Sequence, residues 1–294
     1  MAHIVQHLFQ DLRPDPADRP AMGTPCARFR PSVAEEDVMV LSNMAVNAQY
    51  WHLVVQASPL AATARPGQFY QLQCPPSHGA SPYLRRPMSL YGADPATGQI
   101  QFLYKVSGSG TRGLSTLVAS DTFRMLGPLG KGYTLAPHLR HIVVVGRGVG
   151  LATLAPLADA AHAAGIGVTA ILSARSPELV VSANRFDIKG MPVIPVTDTQ
   201  GSSDPVRIDQ TVRGLIMAGR CDALFTCGSS RLLRMLQSLA IEFDLPGQVA
   251  LEQQMACGLG MCFCCVRDFA SAHGTVTKRV CLDGPVFDIR EALP

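Results

Sequence analysis

The hydrophobic pattern between residues 37 and 136 consists of short apolar segments separated by turns. Most of these turns contain glycine or proline, and the segments carry the β-branched and aromatic residues that strands favour. The predicted strands are residues 38–41, 50–56, 68–73, 89–91, 100–106 and 121–126. Because the strands follow one another without intervening helices, this region is predicted to form a small antiparallel β-barrel.

The pattern changes at residue 141, where strands begin to alternate with helices. The run Ile-Val-Val-Val at 142–145 is apolar throughout, as a strand buried on both faces requires. Such alternation is typical of a doubly wound parallel sheet, so the fold class is predicted to be α/β plus all-β. The further strands are predicted at 168–172, 192–196, 223–226 and 249–252, and the helices at 151–164, 206–218 and 231–243.

The length of 294 residues corresponds to about two domains, and the pattern adds a third, smaller region. We expect the barrel at 37–137, the parallel sheet at 138–246 and a small cysteine-rich domain at 247–294. Residues 1–36 are rich in proline, arginine and aspartate. They are interpreted either as a flexible tail or as an arm that packs on a partner or on the body.

Composition and charge exclude several classes of protein. With 47% hydrophobic and only 16% charged residues, the chain is not a disordered polymer. The apolar stretch 151–172 is interrupted by Pro156, Asp159 and His162, so no membrane span is expected. A net charge of +3 without a basic cluster predicts no nucleic-acid binding. Nine cysteines and a polar N-terminus favour a cytoplasmic location, where clustered cysteines more often bind metal than pair with each other.

Five of the nine cysteines lie in the last 40 or so residues, in the pattern Cys257-x4-Cys262-x2-Cys265-x15-Cys281. This is the plant-type [2Fe–2S] spacing, in which a tight loop supplies three thiolates and a returning strand supplies the fourth. Cys264 falls outside this register, and we expect it to be a small buried residue. Structural zinc and a reactive thiol pair remain alternatives, although zinc cysteines often come as two pairs with two to four residues between partners.

A glycine-rich turn follows the first parallel strand in the sequence IVVVGRGVGL. Gly146, Gly148 and Gly150 would let a pyrophosphate approach the backbone at a helix N-terminus. The alternative is tight packing of strand against helix. Arg147 inside the turn either pairs with phosphate or obstructs it. The acidic residue of the NAD fingerprint is missing at its usual distance, where the chain reads Ser-Ala-Arg at 173–175.

Another candidate lies at the end of a later strand, in the sequence FTCGSS at 225–230. Cys227 and Gly228 would lie at the carboxyl edge of the sheet, where doubly wound folds bind ligands. The alternative for Cys227 is an ordinary buried residue.

Motifs spread along the chain resemble one known family. The sequences RRPMSLY (85–91), YKVSGSGTRG (104–113) and GPLGKGY (127–133) are similar to flavin-binding motifs of the ferredoxin–NADP reductase superfamily. Together with LEQQMACGLGMCFCCV and VCLDGPVFD, they more closely resemble the electron-transfer subunit of two-subunit, NAD-linked dihydroorotate dehydrogenases. The ordered set covers residues 37–289, and the cysteine-rich stretch is its most specific part.

The resemblance implies FAD in the barrel, NAD(H) on the parallel sheet and a [2Fe–2S] cluster in the terminal domain. A pyrophosphate needs a cation and close N–H donors, which Arg86 and the Gly-Ser-Gly-Thr turn would provide, unless Arg85 and Arg86 are simply a solvated basic pair. The implied FAD residues are Arg86, Pro87, Met88, Ser89, Leu103, Tyr104, Lys105, Gly110 and Thr111. The implied nicotinamide residues are Gly146, Gly148, Val149, Gly150, Cys227 and Gly228. The implied cluster ligands are Cys257, Cys262, Cys265 and Cys281.

The function that the resemblance implies is electron transfer between NADH, FAD, the cluster and an FMN-containing catalytic partner subunit. The chain would therefore be one member of a heteromer. The alternatives are a same-fold reductase serving another FMN enzyme, an oxygenase or a hydrogenase, and a redox sensor without turnover. Two departures from the family pattern lie at the nicotinamide site: Arg147 stands where the family usually has glycine, and Ser229 stands where it has proline.

Overall fold

The structure is a computed structural model and describes residues 33–77, 79 and 81–293. The predicted N-terminal arm therefore lies almost entirely outside the described residues. The first strand already begins at Ala34, four residues earlier than the pattern predicts. No helix among the described residues is both long enough and apolar enough to cross a membrane.

The N-terminal half forms a seven-stranded sheet in which every pairing is antiparallel, and the predicted all-β region is confirmed. The strand order is β4-β3-β7-β1-β2-β6-β5. Contacts between β4 and β6 show that the sheet curls into a half-barrel, with Tyr70 and Phe102 fully buried inside it. The strands are β1 (Ala34–Ala45), β2 (Tyr50–Gln56), β3 (Phe69–Leu72), β4 (Arg86–Ser89), β5 (Gly92–Asp94), β6 (Gln99–Lys105) and β7 (Thr122–Leu129). A short helix, α1 (Ser109–Leu114), lies between β6 and β7.

The second sheet has the order β10-β9-β8-β11-β12-β15, and its first five strands are parallel, as predicted. From β8 the chain first adds β9 and β10 on one side of the sheet and then crosses to add β11 and β12 on the other side. In such folds ligands bind in the crevice at this switch point, which here lies at the carboxyl end of β8. The strands are β8 (His141–Arg147), β9 (Gly167–Ala174), β10 (Val193–Thr197), β11 (Ala223–Cys227) and β12 (Gly247–Ala250). The helices are α2 (Leu151–Ala163), α3 (Ala183–Asp187), α4 (Pro205–Met217) and α5 (Ser230–Glu242).

The cysteine-rich region is tied to both sheets. It contains a hairpin of β13 (Val266–Ser271) and β14 (Gly274–Arg279), a single helical turn α6 (Val280–Asp283), and β15 (Val286–Asp288). Strand β15 pairs antiparallel with β12, and Pro285 forms a bridge with Lys131 after the half-barrel. The apolar cores are continuous as well, since Tyr50 and Leu103 of the half-barrel pack in one cluster with residues of β8 and α2.

Candidate functional site

A cavity of about 860 Å³ lies where the half-barrel, the parallel sheet and the start of the cysteine-rich region meet. Strands β4 and β6 form one wall, the turn after β8 forms another, and the extended segment 251–255 closes the third side. The predicted site residues that line it are Arg86, Pro87, Met88, Ser89, Leu103, Tyr104, Lys105 and Val149. The structure thus brings together three motifs that are far apart in the chain.

Arg86 and the glycine-rich segment before β7 meet beside this cavity. A Cβ atom on Gly110 would lie 2.8 Å from the Arg86 Nε atom, so only glycine allows the guanidinium to approach the backbone of α1 this closely. The Thr111 hydroxyl accepts hydrogen bonds from the N–H groups of Ser107 and Gly108 at 2.9 and 3.1 Å. Thr111 therefore shapes the turn, while Arg86 supplies the positive charge.

The two turns at the sheet crevice interlock through their backbones. A Cβ atom on Gly150 would lie 2.6 Å from the carbonyl oxygen of Cys227, and one on Gly228 would lie 2.3 Å from that of Arg147. Gly148 and Gly228 both have positive φ, at +57° and +93°, which L side chains rarely adopt. The glycines after β8 and β11 thus allow a close approach of two loops, which neither motif indicates alone.

Arg147 pairs with side chains at the carboxyl edge of the parallel sheet. Its guanidinium donates to both carboxylate oxygens of Asp198, at 3.1 and 2.6 Å, and to the Ser173 hydroxyl at 2.8 Å. Hydrogen bonds from Arg147, and then from Ser203, lower the pKa of Asp198 to about 2. The arginine that replaces a family glycine is therefore tied across the ends of β8, β9 and β10.

The other departure from the family pattern also has a local role. Ser229 precedes helix α5, and its hydroxyl accepts a hydrogen bond from the backbone N–H of Leu232 at 3.4 Å. Serine is a favourable N-cap because its side-chain oxygen satisfies an N–H group that the helix leaves unpaired. Serine thus begins the helix with a capping hydrogen bond that proline cannot provide.

A second cavity of about 200 Å³ lies behind the turn that follows β11 and includes Cys227 and Gly228. Burial, and then the nearby Glu252 carboxylate, raise the pKa of the Cys227 thiol well above its ordinary value, so this thiol stays protonated. Glu252 lines both cavities, and no hydrogen bond or ion pair to its carboxylate occurs within the described part of the chain. The protein atoms around Glu252 displace water from its carboxylate, and this desolvation raises the pKa of Glu252.

The four predicted cluster ligands lie in one loop and its returning turn. Cys265 and Cys281 are buried, Cys257 is half-buried and Cys262 is exposed. The side chains of Cys265 and Cys281 are hydrogen-bonded to each other, as are those of Cys257 and Cys262, and the backbone N–H of Cys281 also donates to the Cys265 sulfur at 3.4 Å. The thiols therefore form two pairs, which matches two irons that each take two protein thiolates.

Backbone N–H groups in the loop also favour thiolates. Although burial raises the pKa of Cys257, the N–H groups of Leu259, Cys262 and Met261 lower it to about 6. Gly258 and Gly260 have positive φ, which folds the backbone around the sulfur as expected for an iron–sulfur loop. The residues present thus fit a [2Fe–2S] cluster.

Cys264 and the geometry for a single metal ion are the two remaining features of this region. Cys264 is exposed, so the prediction that it is a small buried residue is wrong. It lies next to Phe263, which has a positive φ of +55°. Over the described ranges, no three His, Cys, Asp or Glu side chains converge on a point where one metal ion could be held.

Sequence reasoning missed two carboxylates and one amide of this site. Asp198 follows β10, Glu252 follows β12, and Gln71 lies in the middle of β3, buried against the cysteine loop. The position of Asp198 at the carboxyl edge of the sheet was the one available signal, because ligands of doubly wound folds bind there. No sequence motif marks Gln71.

Comparison with known proteins gives a consistent result. A family model described as the iron–sulfur cluster binding domain of dihydroorotate dehydrogenase B matches residues 252–292. The chain is 30% identical over 252 residues to the dihydroorotate dehydrogenase B (NAD(+)) electron transfer subunit of Desulforamulus reducens, covering 85% of this chain and 95% of that protein. It is 31% identical over 264 residues to the same subunit of Bacillus caldolyticus, covering 89% and 99%.

Solved structures show the same architecture. A structure described as NADH-dependent reduced ferredoxin–NADP oxidoreductase, from work on flavin-based electron bifurcation, aligns with a TM-score of 0.72 at 25% identity. The alignment covers 86% of this chain and 88% of that one. Ferredoxin–NADP+ reductase from Plasmodium falciparum aligns with a TM-score of 0.58 at 10% identity, covering 70% and 89%, and shows the fold alone.

Proposed function

The chain belongs to the family of dihydroorotate dehydrogenase B electron transfer subunits, and from that premise we propose that it passes electrons between NAD(H), FAD, a [2Fe–2S] cluster and an FMN-containing catalytic partner subunit. When bound, FAD would link the two-electron hydride chemistry of NADH to one-electron transfer, and the cluster would carry one electron at a time. The chain itself provides binding, orientation and electrostatics.

The observation that carries this proposal is the convergence of three motifs on one cavity. Residues of the Arg-Pro-Met-Ser strand, Val149 of the glycine-rich turn and Met255, two residues before Cys257, all line the same space of about 860 Å³. A site for electron transfer needs its donor and acceptor close together, and this cavity touches the elements proposed to hold each group.

On the flavin side, the residues provide charge and a close backbone approach. The Arg86 guanidinium, packed on Gly110, would pair with the pyrophosphate. Tyr104 and Leu103 are buried and contribute an apolar wall to the cavity, while the exposed Lys105 adds a second cation at its edge. These side chains would hold the flavin and exclude water from it.

On the nicotinamide side, the residues provide shape more than charge. The interlocked glycine turns hold the ends of β8 and β11 together, and Cys227 contributes a buried, neutral thiol beside them. The Arg147 guanidinium is already paired with Asp198, which supports a binding mode in which the phosphates meet backbone N–H groups rather than this arginine.

The surface around the cysteine loop supports a macromolecular partner. Met261 and Phe263 expose 81% and 60% of their area on either side of the exposed Cys262. Contiguous exposed apolar residues commonly mark interaction sites. We place the catalytic subunit on this face, because electrons leaving the cluster would have the shortest path there.

The test is reduction of the complex from its two ends. The chain is purified with its co-expressed FMN partner, and the flavin and cluster spectra are followed anaerobically after adding either NADH or dihydroorotate. We expect both to reduce the flavins and the cluster. Absence of reduction by dihydroorotate would reject this substrate, and absence of reduction by NADH would favour a redox sensor without turnover.

A second candidate is a same-fold reductase subunit with a different partner. It is favoured by the 25% identity and high structural similarity to the NADH-dependent reduced ferredoxin–NADP oxidoreductase structure. This candidate predicts that NADH reduces the complex and that dihydroorotate does not. Mass spectrometry of the proteins that co-purify with the native chain separates the two candidates.

A further inference from the structure

Gln71 is a fully buried side chain with no hydrogen-bond partner among the described residues. It lies in the middle of β3 with no exposed area, and neither its Nε2 nor its Oε1 atom has a partner in the described part of the protein. A buried amide without partners is destabilising, because it has lost its hydrogen bonds to water and gained none in the protein. Such a group needs a physical reason, and the usual one is a ligand, an ion or water that completes its hydrogen bonds.

The residue that covers Gln71 belongs to the cysteine loop. A Cβ atom on Gly258 would lie 2.9 Å from Gln71 Cγ and 3.0 Å from its Nε2, with a Leu129 carbon at 3.1 Å. Gly258 directly follows Cys257 and has a positive φ of +72°. The turn of the loop therefore rests on the Gln71 side chain, and any larger residue at position 258 would displace it.

Gln71 could donate a hydrogen bond either to a group in the large cavity or to a group held by the cysteine loop, and its location decides between the two. Phe69, two residues earlier on the same strand, lines the large cavity, but Gln71 is not among the residues that line it. The amide is instead covered by the loop whose backbone N–H groups already surround the Cys257 sulfur. The side toward which its polar atoms lie is thus the side of the cysteines.

We propose that the Gln71 amide N–H donates a hydrogen bond to a sulfur of the [2Fe–2S] cluster and so raises the cluster's reduction potential relative to that of the flavin. The inference rests on the proposed function. Sulfur ligands accept hydrogen bonds and donate none, so the N–H end of the amide is the end that serves them. Hydrogen bonds to the sulfurs are one of the factors that set the potential of such clusters, because they stabilise the more negative reduced form.

The proposal makes Gln71 a positioning and tuning residue rather than a ligand. Replacing it should leave iron content and the flavin unchanged while making the cluster harder to reduce. Removing one N–H···S hydrogen bond is expected to change the equilibrium constant for one-electron reduction about tenfold, which corresponds to a shift of about 59 mV toward negative potential.

The test is a redox titration of the purified complex, followed by the electron paramagnetic resonance of the reduced cluster. Gln71→Leu and Gln71→Met are compared with Gln73→Leu, which changes an exposed glutamine two residues along the chain. We expect both Gln71 variants to shift the cluster potential and the Gln73 variant to leave it unchanged. A Gln71 variant with the wild-type cluster potential, or with a shifted flavin potential alone, would overturn the inference.

A measurement on the wild-type complex covers the case in which neither variant folds. With glutamine labelled by ¹⁵N at Nε2, the reduced cluster should show a weak hyperfine coupling to that nitrogen, and its absence would overturn the inference. If the wild-type complex shows no cluster signal at all, the proposed function fails rather than the role of Gln71.

Discussion

At the proposed nicotinamide edge, loops from distant parts of the chain lock together, whereas the cysteine loop is organised mainly by its own backbone. Gly150 and Gly228 bring the turns after β8 and β11 into contact, and Arg147 reaches across to Asp198. In the cysteine loop, N–H groups within five residues of Cys257 surround its sulfur. The first site depends on sheet topology, and the second depends on residue spacing.

The largest expected effect comes from removing one thiol of the local site. Cys262→Ser should abolish the cluster signal and most of the bound iron, because an iron with one thiolate missing is poorly held. FAD absorbance should persist, since Cys262 does not line the large cavity. Iron analysis and visible spectra of the purified complex measure both.

Cys264→Ser is the matched control, because Cys264 is also exposed and lies two residues away. It should keep the cluster. Retention of the cluster in Cys262→Ser together with its loss in Cys264→Ser would show that the ligand register is wrong.

The next effect comes from breaking the long-range interlock. Gly228→Ala places a Cβ atom against the Arg147 carbonyl oxygen and forces alanine to a φ of +93°. We expect a loss of about 1–3 kcal/mol in the free energy of unfolding, measured with urea, and a higher KM for NADH.

Gly219→Ala provides the comparison, since Gly219 has φ +67° but nothing within 4 Å of an added Cβ atom. It should be less destabilised and should keep the wild-type KM. Equal effects in the two variants would mean that backbone strain alone matters and that the interlock does not.

A smaller effect is expected at Glu252, which lines both cavities. Glu252 is exposed to the cavities, but the protein atoms around it displace part of its hydration and raise its pKa above the ordinary value of 4.5, so the folded protein binds a proton more tightly than the unfolded chain does. The stability contribution is therefore fully present below pH 4.5 and is lost as pH rises through the folded pKa. Glu252→Gln should remove this decline in urea-unfolding experiments across that range.

Glu242→Gln is the control with the opposite sign. Hydrogen bonding to Arg213 lowers the pKa of Glu242, so that substitution should remove stability that is present above pH 4.5 and lost at lower pH. If both variants changed the pH dependence of stability in the same direction, the inference that ionised Glu252 destabilises the folded protein would be wrong.

The smallest expected effect concerns the Arg147–Asp198 pair. The pKa of Asp198 is lowered from 3.8 to about 2, so its contribution is present above pH 3.8 and is lost as pH falls through about 2. Because the Asp198 side chain is 40% exposed, Asp198→Asn should cost less than about 1 kcal/mol at neutral pH.

The stability difference between Asp198→Asn and the wild type should shrink as pH falls through this range, and urea denaturation at a series of pH values measures it. Asp244→Asn, at a more exposed ion pair with Arg290, serves as the control and should show little change. A pH-independent difference would indicate that the carboxylate acts through packing rather than charge.

Much of the fold follows from local pattern. Strands β2 and β8 and helices α2, α4 and α5 lie within a few residues of their predicted bounds. Helices α4 and α5 have an apolar face that repeats with the helical period, and β8 and α2 are apolar over most of their length, so each pattern extends over several residues. The fold class is confirmed for the same reason.

The missed elements are those without such a repeat. Helices α1 and α3 have six and five residues, too few for a helical period to show. Strand β4 begins at Arg86, three residues before its predicted start. A charged residue followed by proline, which has no N–H for strand pairing, does not suggest a strand. Strand β15 pairs with β12 from beyond the cysteines, a contact that only the folded chain creates.

The sequence by itself determined which chemistries this chain carries. Four cysteines at fixed spacing, a glycine turn after an apolar strand and an Arg-Pro-x-Ser segment are local patterns, and the physical demands of thiolate ligation and close backbone approach act over a few residues. The tertiary structure alone decided how these patterns meet. Gln71 reaches Gly258, Arg147 reaches Asp198, and Glu252 lies between two cavities because of strand order and packing, which depend on the whole chain at once.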